Sequence, residues 1–310
     1  MRVAVVGAGG VGGYFGARLA DAGHDVSFLV RGAQLAALRS NGIVIHSPRG
    51  DLHLPEVRAS DDPDRLGAHD VVLFAVKAYA IDAALPLLPA LLGSDGFVTC
   101  VQNGGVAPAD RVAAAVGVHR TVGGAAYISC HLRAPGVLEH HSPLAGMEIG
   151  ELAGGLSARV EDFAKVARDA DLDTEVSADI RTVLWQKFAF ICGLAGATAS
   201  SRRPIGEVRA SAEGQRLLRG LVSETAAVGR ADGAALAPDY EEKALSLLHT
   251  IDAGMRSSLY EDLVNGRVME LDSLHGEVVR RADELGVDVP VTRTVYAILE
   301  PSARAAVSKS

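Results

Sequence analysis

The first thirty-one residues, MRVAVVGAGGVGGYFGARLADAGHDVSFLVR, constrain the fold more than any other part of the chain. An apolar run, Val3 to Val6, predicts a strand. The loop Gly7-Ala8-Gly9-Gly10-Val11-Gly12 follows at once. A helical stretch then runs from Tyr14 to Ala22, Gly23 turns the chain, and Val26 to Val30 predicts a second strand. Strand, glycine loop, helix and strand within about thirty residues make the dinucleotide-binding unit. Gly7 serves the tight turn out of the strand. Gly9 lets backbone approach a pyrophosphate with no Cβ in the way, and Gly12 lets the helix lie close on the sheet. The helix N-terminus then presents unpaired N–H groups and a positive dipole end to the phosphates.

The end of the second strand bears on which dinucleotide is bound. An acidic residue there would bond the ribose 2′-hydroxyl of NAD, but this chain carries Arg31. A guanidinium suits a 2′-phosphate, so the position points to NADP(H). The alternative is an arginine on a solvated loop.

Composition narrows the function classes. With 310 residues the chain exceeds one minimal domain, and 48% apolar residues suffice for a large core. The net charge of −8 and the lack of a basic stripe with interleaved aromatics argue against nucleic-acid binding. No run of about eighteen strong apolar residues predicts a membrane span. The apolar N-terminus reads as strand and loop rather than signal peptide. Cys100, Cys130 and Cys192 are odd in number and widely spaced. That pattern predicts reduced thiols in a cytoplasmic protein, not disulfides or a zinc site.

Further on, a short helix is expected over Ala33–Arg39. A β-hairpin is expected from Gly42–Ile45 and Leu52–Leu54 around Ser47-Pro48-Arg49-Gly50. Val71–Val76 reads as a buried parallel strand. It ends in Lys77, at the strand end that faces the ligand crevice in a doubly wound sheet; a solvated lysine opening a helix over Tyr79–Leu88 is the alternative. Phe97–Val101 ends in Gln102-Asn103-Gly104, where Asn103 is either a cleft residue or part of a common Asn-Gly turn. A helix over Pro108–Ala115 and a strand over Thr121–Ile128 follow. Val137–His141 and Met147–Gly150 are expected as a strand pair joined around Pro143. His140 and His141 are neighbours in a strand, so they point to opposite faces and form no metal site by themselves. A helix over Leu156–Ala170 and a strand over Thr174–Val176 close this half. The sequence thus predicts an α/β chain: an N-terminal Rossmann-type doubly wound sheet over 1–178, and an all-helical domain over 179–310.

In the helical half, Lys187 lies in an apolar helix, roughly Arg181–Ala197, on one face with Ile191 and Ala195. It either snorkels to water or faces a cleft. Glu270 is expected in the first turn of a helix holding Leu271, Leu274, Val278 and Val279, where it could simply favour the dipole. Taken in order, the following stretches resemble the ketopantoate reductases, also called 2-dehydropantoate 2-reductases, over nearly the whole chain: GAGGVGG with Arg31, VKA at Val76–Ala78, QNG at Gln102–Gly104, W-x-K at Trp185–Lys187, RSSLYED at Arg256–Asp262, MELD at Met269–Asp272 and GVDVPVTRTVYAIL at Gly286–Leu299. The resemblance implies a Rossmann domain, a helical domain, an active site in the cleft between them, and NADPH-dependent reduction of a 2-oxo acid to the (R)-hydroxy acid on the route to pantothenate.

Carried over by position, Lys187 matches the catalytic lysine that gives a proton to the carbonyl oxygen. Such an acid contributes ~10²–10⁴-fold, and a lysine of ordinary pKa, ~10.4, is protonated at neutral pH. Glu270 matches a catalytic glutamate near the nicotinamide ribose and substrate, and Ser258 a serine on the substrate carboxylate. Asn103 and Lys77 match cleft residues, Lys77 and Arg31 holding the 2′-phosphate, with Gly7, Ala8, Gly9, Gly10, Val11 and Gly12 on the cofactor. Three positions depart from the family pattern: Ile191, Ala195 and Ile205 stand where family members commonly carry asparagine. Thr198, Ser200 or Ser201 are the residues that could compensate. Two alternatives therefore accompany ketopantoate reduction: a paralogous NADPH-dependent reductase of a more apolar 2-oxo acid, and a non-catalytic NADP(H) sensor. The apolar helices beyond Pro238 suit either a core or a homodimer interface.

Overall fold

The computed structural model describes residues 1–308. Its chain falls into two compact units, Met1–Gln102 with Val106–Arg181, and Asn103–Gly105 with Thr182–Ser310.

The first unit is built on one sheet of ten strands: β1 (Arg2–Val6), β2 (Asp25–Leu29), β3 (Ile43–His46), β4 (Leu52–Leu54), β5 (Arg58–Ser60), β6 (His69–Phe74), β7 (Leu92–Cys100), β8 (Thr121–Ala134), β9 (Val137–Glu151) and β10 (Asp173–Val176). Their order is β4-β3-β9-β8-β7-β6-β1-β2-β5, with β10 also on β9. From β8 to β5 every pairing is parallel. Within them Val3–Val6 of β1 and Val71–Phe74 of β6 are unbroken apolar runs, as expected for strands covered on both faces. Alternate residues of β1 serve different cores, Val3 and Val5 on one face, Ala4 and Val6 on the other.

The helix Gly10–Asp21 is buried continuously from Gly12 to Leu19. A helix lying on one sheet face would show a single apolar stripe. This one is enclosed. Gly16 rests on Phe28 and Val5, while Gly13 meets Leu138 of β9. The Tyr14 ring lies 4.6 Å from that of His140, and Arg18 donates to the Gly50 carbonyl. The β3–β4 hairpin pairs as expected, Ile43 with Leu54 and Ile45 with Leu52.

Two expectations need correction. Val137–His141 and Met147–Gly150 do not pair with each other around Pro143. They are parts of one strand, β9, and both run antiparallel to β8. Between the pairs Ile128–Ala145 and Cys130–His140 the register shifts, and Pro143 lies in the extra length of β9. A residue with no N–H is tolerated at such a bulge. The helix expected over Tyr79–Leu88 is instead a chain of short turns, Ala78–Ala80, Ile81–Ala84, Leu85–Leu87 and Leu88–Leu91. Pro86 and Pro89 cannot donate to a continuing helix. His140 and His141 do face opposite ways: His140 is buried against Ser47, and His141 stacks in the open on His131.

The second unit has no strand among the described residues. Its helices are Ile180–Ser201, Ile205–Arg209, Ala212–Ala231, Tyr240–Thr250, Ser258–Val264, Glu277–Leu285 and Pro290–Val307, and a π-turn over Asp272–Gly276 leads into the sixth. Trp185 anchors the first of them. Its ring lies against Gly229, where an added Cβ would sit 3.0 Å away, and its indole N–H donates to Asp232 at 3.0 Å. Arg281 joins Asp232 at 2.8 Å and Glu277 at 2.6 Å, so both carboxylates share one nearly buried guanidinium. Glu224 caps the last helix, accepting from the Val291 and Thr292 amides at 2.9 and 2.7 Å. No helix among the described residues is long and apolar enough to cross a membrane.

Candidate active site

In the first unit the glycine loop sits at the carboxyl end of β1, the central strand of the run β6-β1-β2. Gly7, at φ +93°, turns the chain against Val76. A Cβ on Gly12 would lie 2.2 Å from the Gly7 carbonyl oxygen and 2.8 Å from Ala75 Cβ, so only glycine lets the helix start there. A Cβ on Gly9, by contrast, would meet nothing within 4 Å. A side chain there would enter open space rather than touch the protein. Gly9 caps the helix without a side chain, and no acidic residue occupies the first turn. Its N–H groups and dipole are left to an anion.

Cations flank this loop. Arg31 follows β2 and Lys77 follows β6, and both side chains are exposed. Gln34 braces the loop, donating to the Ala8 carbonyl at 2.9 Å and accepting from the Gly136 amide at 3.0 Å. At the carboxyl end of β7, Gln102 is 8% exposed, and both polar atoms of its amide lack a hydrogen-bond partner among the described residues. Such a buried amide costs about 1–3 kcal/mol per unpaired group. Open space above Gly9, a free helix N-terminus, two flanking cations and an unsatisfied amide together fit a phosphate-bearing dinucleotide. Gln34 belongs to no sequence motif, and Gln102 opens the QNG stretch without a role of its own there, because each owes its part to a long-range contact or to its absence.

In the second unit Lys187 stands two residues after Trp185, about 200° around the helix from the anchored face. The expected face shared with Ile191 and Ala195 is real, since all three lie on the continuous helix Ile180–Ser201. Part of the Lys187 surface is accessible, yet burial of the side chain pushes its pKa down to about 7. Burial therefore works against the full charge expected of a lysine of ordinary pKa. The loop Asn103–Gly105 belongs to the same unit and is seated on the next residue, Phe188. A Cβ on Gly105 would come within 2.8 Å of that ring. Asn103, with its side chain exposed, and Lys187 thus belong to one compact unit, each next to a residue of the Gly105–Phe188 contact or its loop.

Glu270 does not open an α-helix. It precedes a π-turn, in which the Leu274 amide donates to the Glu270 carbonyl at 3.2 Å and the Gly276 amide to the Leu271 carbonyl at 3.1 Å. π-turns recur at functional sites because they re-aim side chains relative to a regular helix. Ser258 is exposed at the first position of its helix. The buried serine is its neighbour Ser257, which caps that helix through the Tyr260 amide and lies 2.8 Å from the Thr198 hydroxyl.

The hydroxyls that could replace the missing asparagines are mostly committed. Thr198 donates its one proton to the Leu194 carbonyl at 2.7 Å, so Ser257 donates to Thr198. Ser201 donates to the Ala197 carbonyl at 2.6 Å. Of the three, only Ser200 has no such bond among the described residues. Ile205 and Ala195 are buried to 0% and 1%, and Ile191 is half-buried. The Ile205 amide instead donates to the Met255 carbonyl at 3.0 Å, which holds the chain just before Arg256.

Known proteins place this architecture. Residues 3–154 match the family model described as "Ketopantoate reductase PanE/ApbA", and residues 179–303 match its counterpart, "Ketopantoate reductase PanE/ApbA C terminal". The chain is 32% identical over 301 residues to an uncharacterized oxidoreductase, YkpB, of Bacillus subtilis (strain 168), covering 97% of this chain and 98% of that protein. It is 31% identical over 338 residues to a 2-dehydropantoate 2-reductase of Mesorhizobium japonicum, covering 100% and 99%. Among solved structures, a PanE/ApbA family ketopantoate reductase from Ralstonia eutropha JMP134 superposes with a TM-score of 0.89 at 29% identity, covering 99% of this chain and 100% of that one. A glycine-loop sheet, a lysine-bearing helical unit and these full-length matches lead to one statement: the chain is an oxidoreductase and belongs to the ketopantoate reductase family.

Proposed function

We propose that this protein reduces 2-dehydropantoate to (R)-pantoate with NADPH, a step toward pantothenate. The observation that carries the reading is Lys187, a lysine held in an apolar helix with its pKa lowered to about 7, one residue before Phe188, on whose ring the loop that carries Asn103 is seated. In this reading residues 1–178 bind NADP(H) and residues 179–310 carry the substrate chemistry. The glycine loop Gly7–Gly12 takes the pyrophosphate, while Arg31 and Lys77 take the 2′-phosphate, which selects NADPH over NADH. When bound, the reduced nicotinamide supplies a hydride to the carbonyl carbon. Lys187, in its charged form, gives a proton to the carbonyl oxygen as negative charge develops there. It is left neutral and regains a proton from water. Its lowered pKa suits this task, because the acid and its conjugate base are both accessible near neutral pH. Glu270 orients the ammonium, and Ser258 and Asn103 hold the substrate.

A second reading has its own observation. Ile191, Ala195 and Ile205 offer no hydrogen bonds, and the Thr198 and Ser201 hydroxyl protons are already given to carbonyls. A site without those donors favours a more apolar 2-oxo acid, since a buried substrate hydroxyl left unpaired costs about 1–3 kcal/mol. The two readings separate by following NADPH absorbance with 2-dehydropantoate and with 2-oxoisovalerate side by side. A higher kcat/KM for 2-dehydropantoate supports the first reading. A reversed preference assigns the enzyme to the apolar acid, and no turnover with either rejects both.

A further inference from the structure

His275 sits inside the π-turn Asp272–Gly276 and is wholly buried. Its Nε2 lies 3.0 Å from the carbonyl oxygen of Cys192, five residues beyond Lys187 on the helix Ile180–Ser201. A carbonyl can only accept, so Nε2 carries the proton and Nδ1 is the bare nitrogen of a neutral ring. Nδ1 is buried with no hydrogen-bond partner among the described residues. A second proton there would be an unpaired buried charge, and burial accordingly pushes the imidazole down to about 4. The ring is therefore a fixed neutral donor throughout the range in which Lys187 titrates. The helix is shaped to receive it: a Cβ on Gly196 would come within 2.5 Å of Nε2, so the carbonyl is reachable only past a glycine.

Four residues before His275's neighbour Leu274 stands Glu270, whose carbonyl receives the Leu274 amide. The turn that holds Glu270 is thus pinned to the Lys187 helix by the side-chain bond of His275. We propose that His275 is a positioning residue, fixing the register of the Glu270 segment on the helix that carries Lys187. This rests on the reading of Lys187 as the proton donor and Glu270 as its orienting partner. It also gives the π-turn a purpose. One extra residue per turn swings the imidazole onto the neighbouring helix, where regular α-winding would place position 275 about 100° away.

The test compares His275→Gln, whose Nε2 can reach the same carbonyl, with His275→Leu, which cannot donate. Lys187→Ala is the control, and kcat, KM, the pH midpoint of kcat and NADPH affinity by fluorescence titration are measured for each. The expected result for His275→Leu is a kcat lowered about tenfold or more and a pH midpoint moved by about half a unit, with NADPH affinity within about twofold. His275→Gln should recover kcat to within about threefold of wild type. If His275→Leu does not fold, His275→Asn replaces it. Its shorter amide cannot reach the carbonyl, so it should fall at least about fivefold below His275→Gln. The inference is overturned if His275→Leu keeps wild-type kcat and pH midpoint while only melting earlier, or if Gln is no better than Leu or Asn. Lys187→Ala losing kcat while His275→Leu keeps it rejects this inference alone. Lys187→Ala keeping kcat rejects the reading beneath it.

Discussion

Replacing Lys187 by methionine should make the protein more stable while removing its activity. The side chain lies in an apolar helix, and burial lowers its pKa from 10.5 to about 7. At 1.36 kcal/mol per pH unit that gap corresponds to about 5 kcal/mol of cost for holding the ammonium in the fold at low pH. Discounting about half for the part of the side chain that water reaches leaves about 2–3 kcal/mol. Methionine keeps the length of the side chain and carries no charge. The sign depends on pH. In the unfolded chain the lysine keeps its proton up to about 10.5, whereas in the fold it loses it near 7. Below 7 both states are charged and the folded one bears the full cost. Between 7 and 10.5 the unfolded state binds more protons, so wild-type stability rises with pH and the advantage of the variant shrinks. Urea unfolding followed by the fluorescence of Trp185, the single tryptophan, reads both proteins. The variant should be more stable by about 2–3 kcal/mol near pH 6 and indistinguishable near pH 10.5. A variant that is less stable at pH 6, or an advantage that does not change with pH, would refute the argument. The position would then be an ordinary solvated lysine.

The same titration governs the rate: kcat for reduction should fall as pH rises through about 7, approaching tenfold per pH unit, in a stopped or continuous NADPH assay. A flat profile to about pH 9 would exclude Lys187 as the titrating acid. Gly9→Ala and Gly12→Ala should part company. The first adds a methyl to open space, so it should leave thermal unfolding unchanged and weaken NADPH binding at least about tenfold; the second strikes the Gly7 carbonyl and should cost about 3 kcal/mol or more of stability. Calorimetry and fluorescence titration on the two variants check this. Arg31→Ala should cut the preference for NADPH over NADH by about tenfold or more, read as the ratio of kcat/KM values, with NADH kinetics little altered.

Much of the first unit was legible because its signals are local. The Val3–Val6 and Val71–Phe74 runs, the glycine loop and the hairpin around Ser47–Gly50 each carry their own period or turn residues. The β8–β9 ribbon is not legible at Pro143, since a proline inside a strand reads as a break and only the bulge in β9 absorbs it. The enclosure of the first helix has only a faint sign in the sequence: Gly12, Gly13 and Gly16 leave it with small residues on more than one side. In the second unit Lys187 and Glu270 stand out in the sequence only as candidates, through motif resemblance, and their settings are not legible there. The charge state of Lys187 depends on tertiary burial. The π-turn beneath Glu270 has no sequence period of its own, and the bonds of Ser257 and His275 join residues far apart in the chain. The one clue available was Gly196, a glycine inside an apolar helix, which marks close approach by another element.

The most direct test of the account is the rate of NADPH oxidation by wild type and by Lys187→Ala at about pH 6.5, each with saturating 2-dehydropantoate and with 2-oxoisovalerate, after both proteins are shown to bind NADPH. The account predicts turnover of at least one acid by the wild type and a loss of about 10²–10⁴-fold in the variant, with NADPH affinity preserved. Equal rates in the two proteins would contradict it, because the proton would then come from another group and the lowered pKa of Lys187 would have no part in the chemistry.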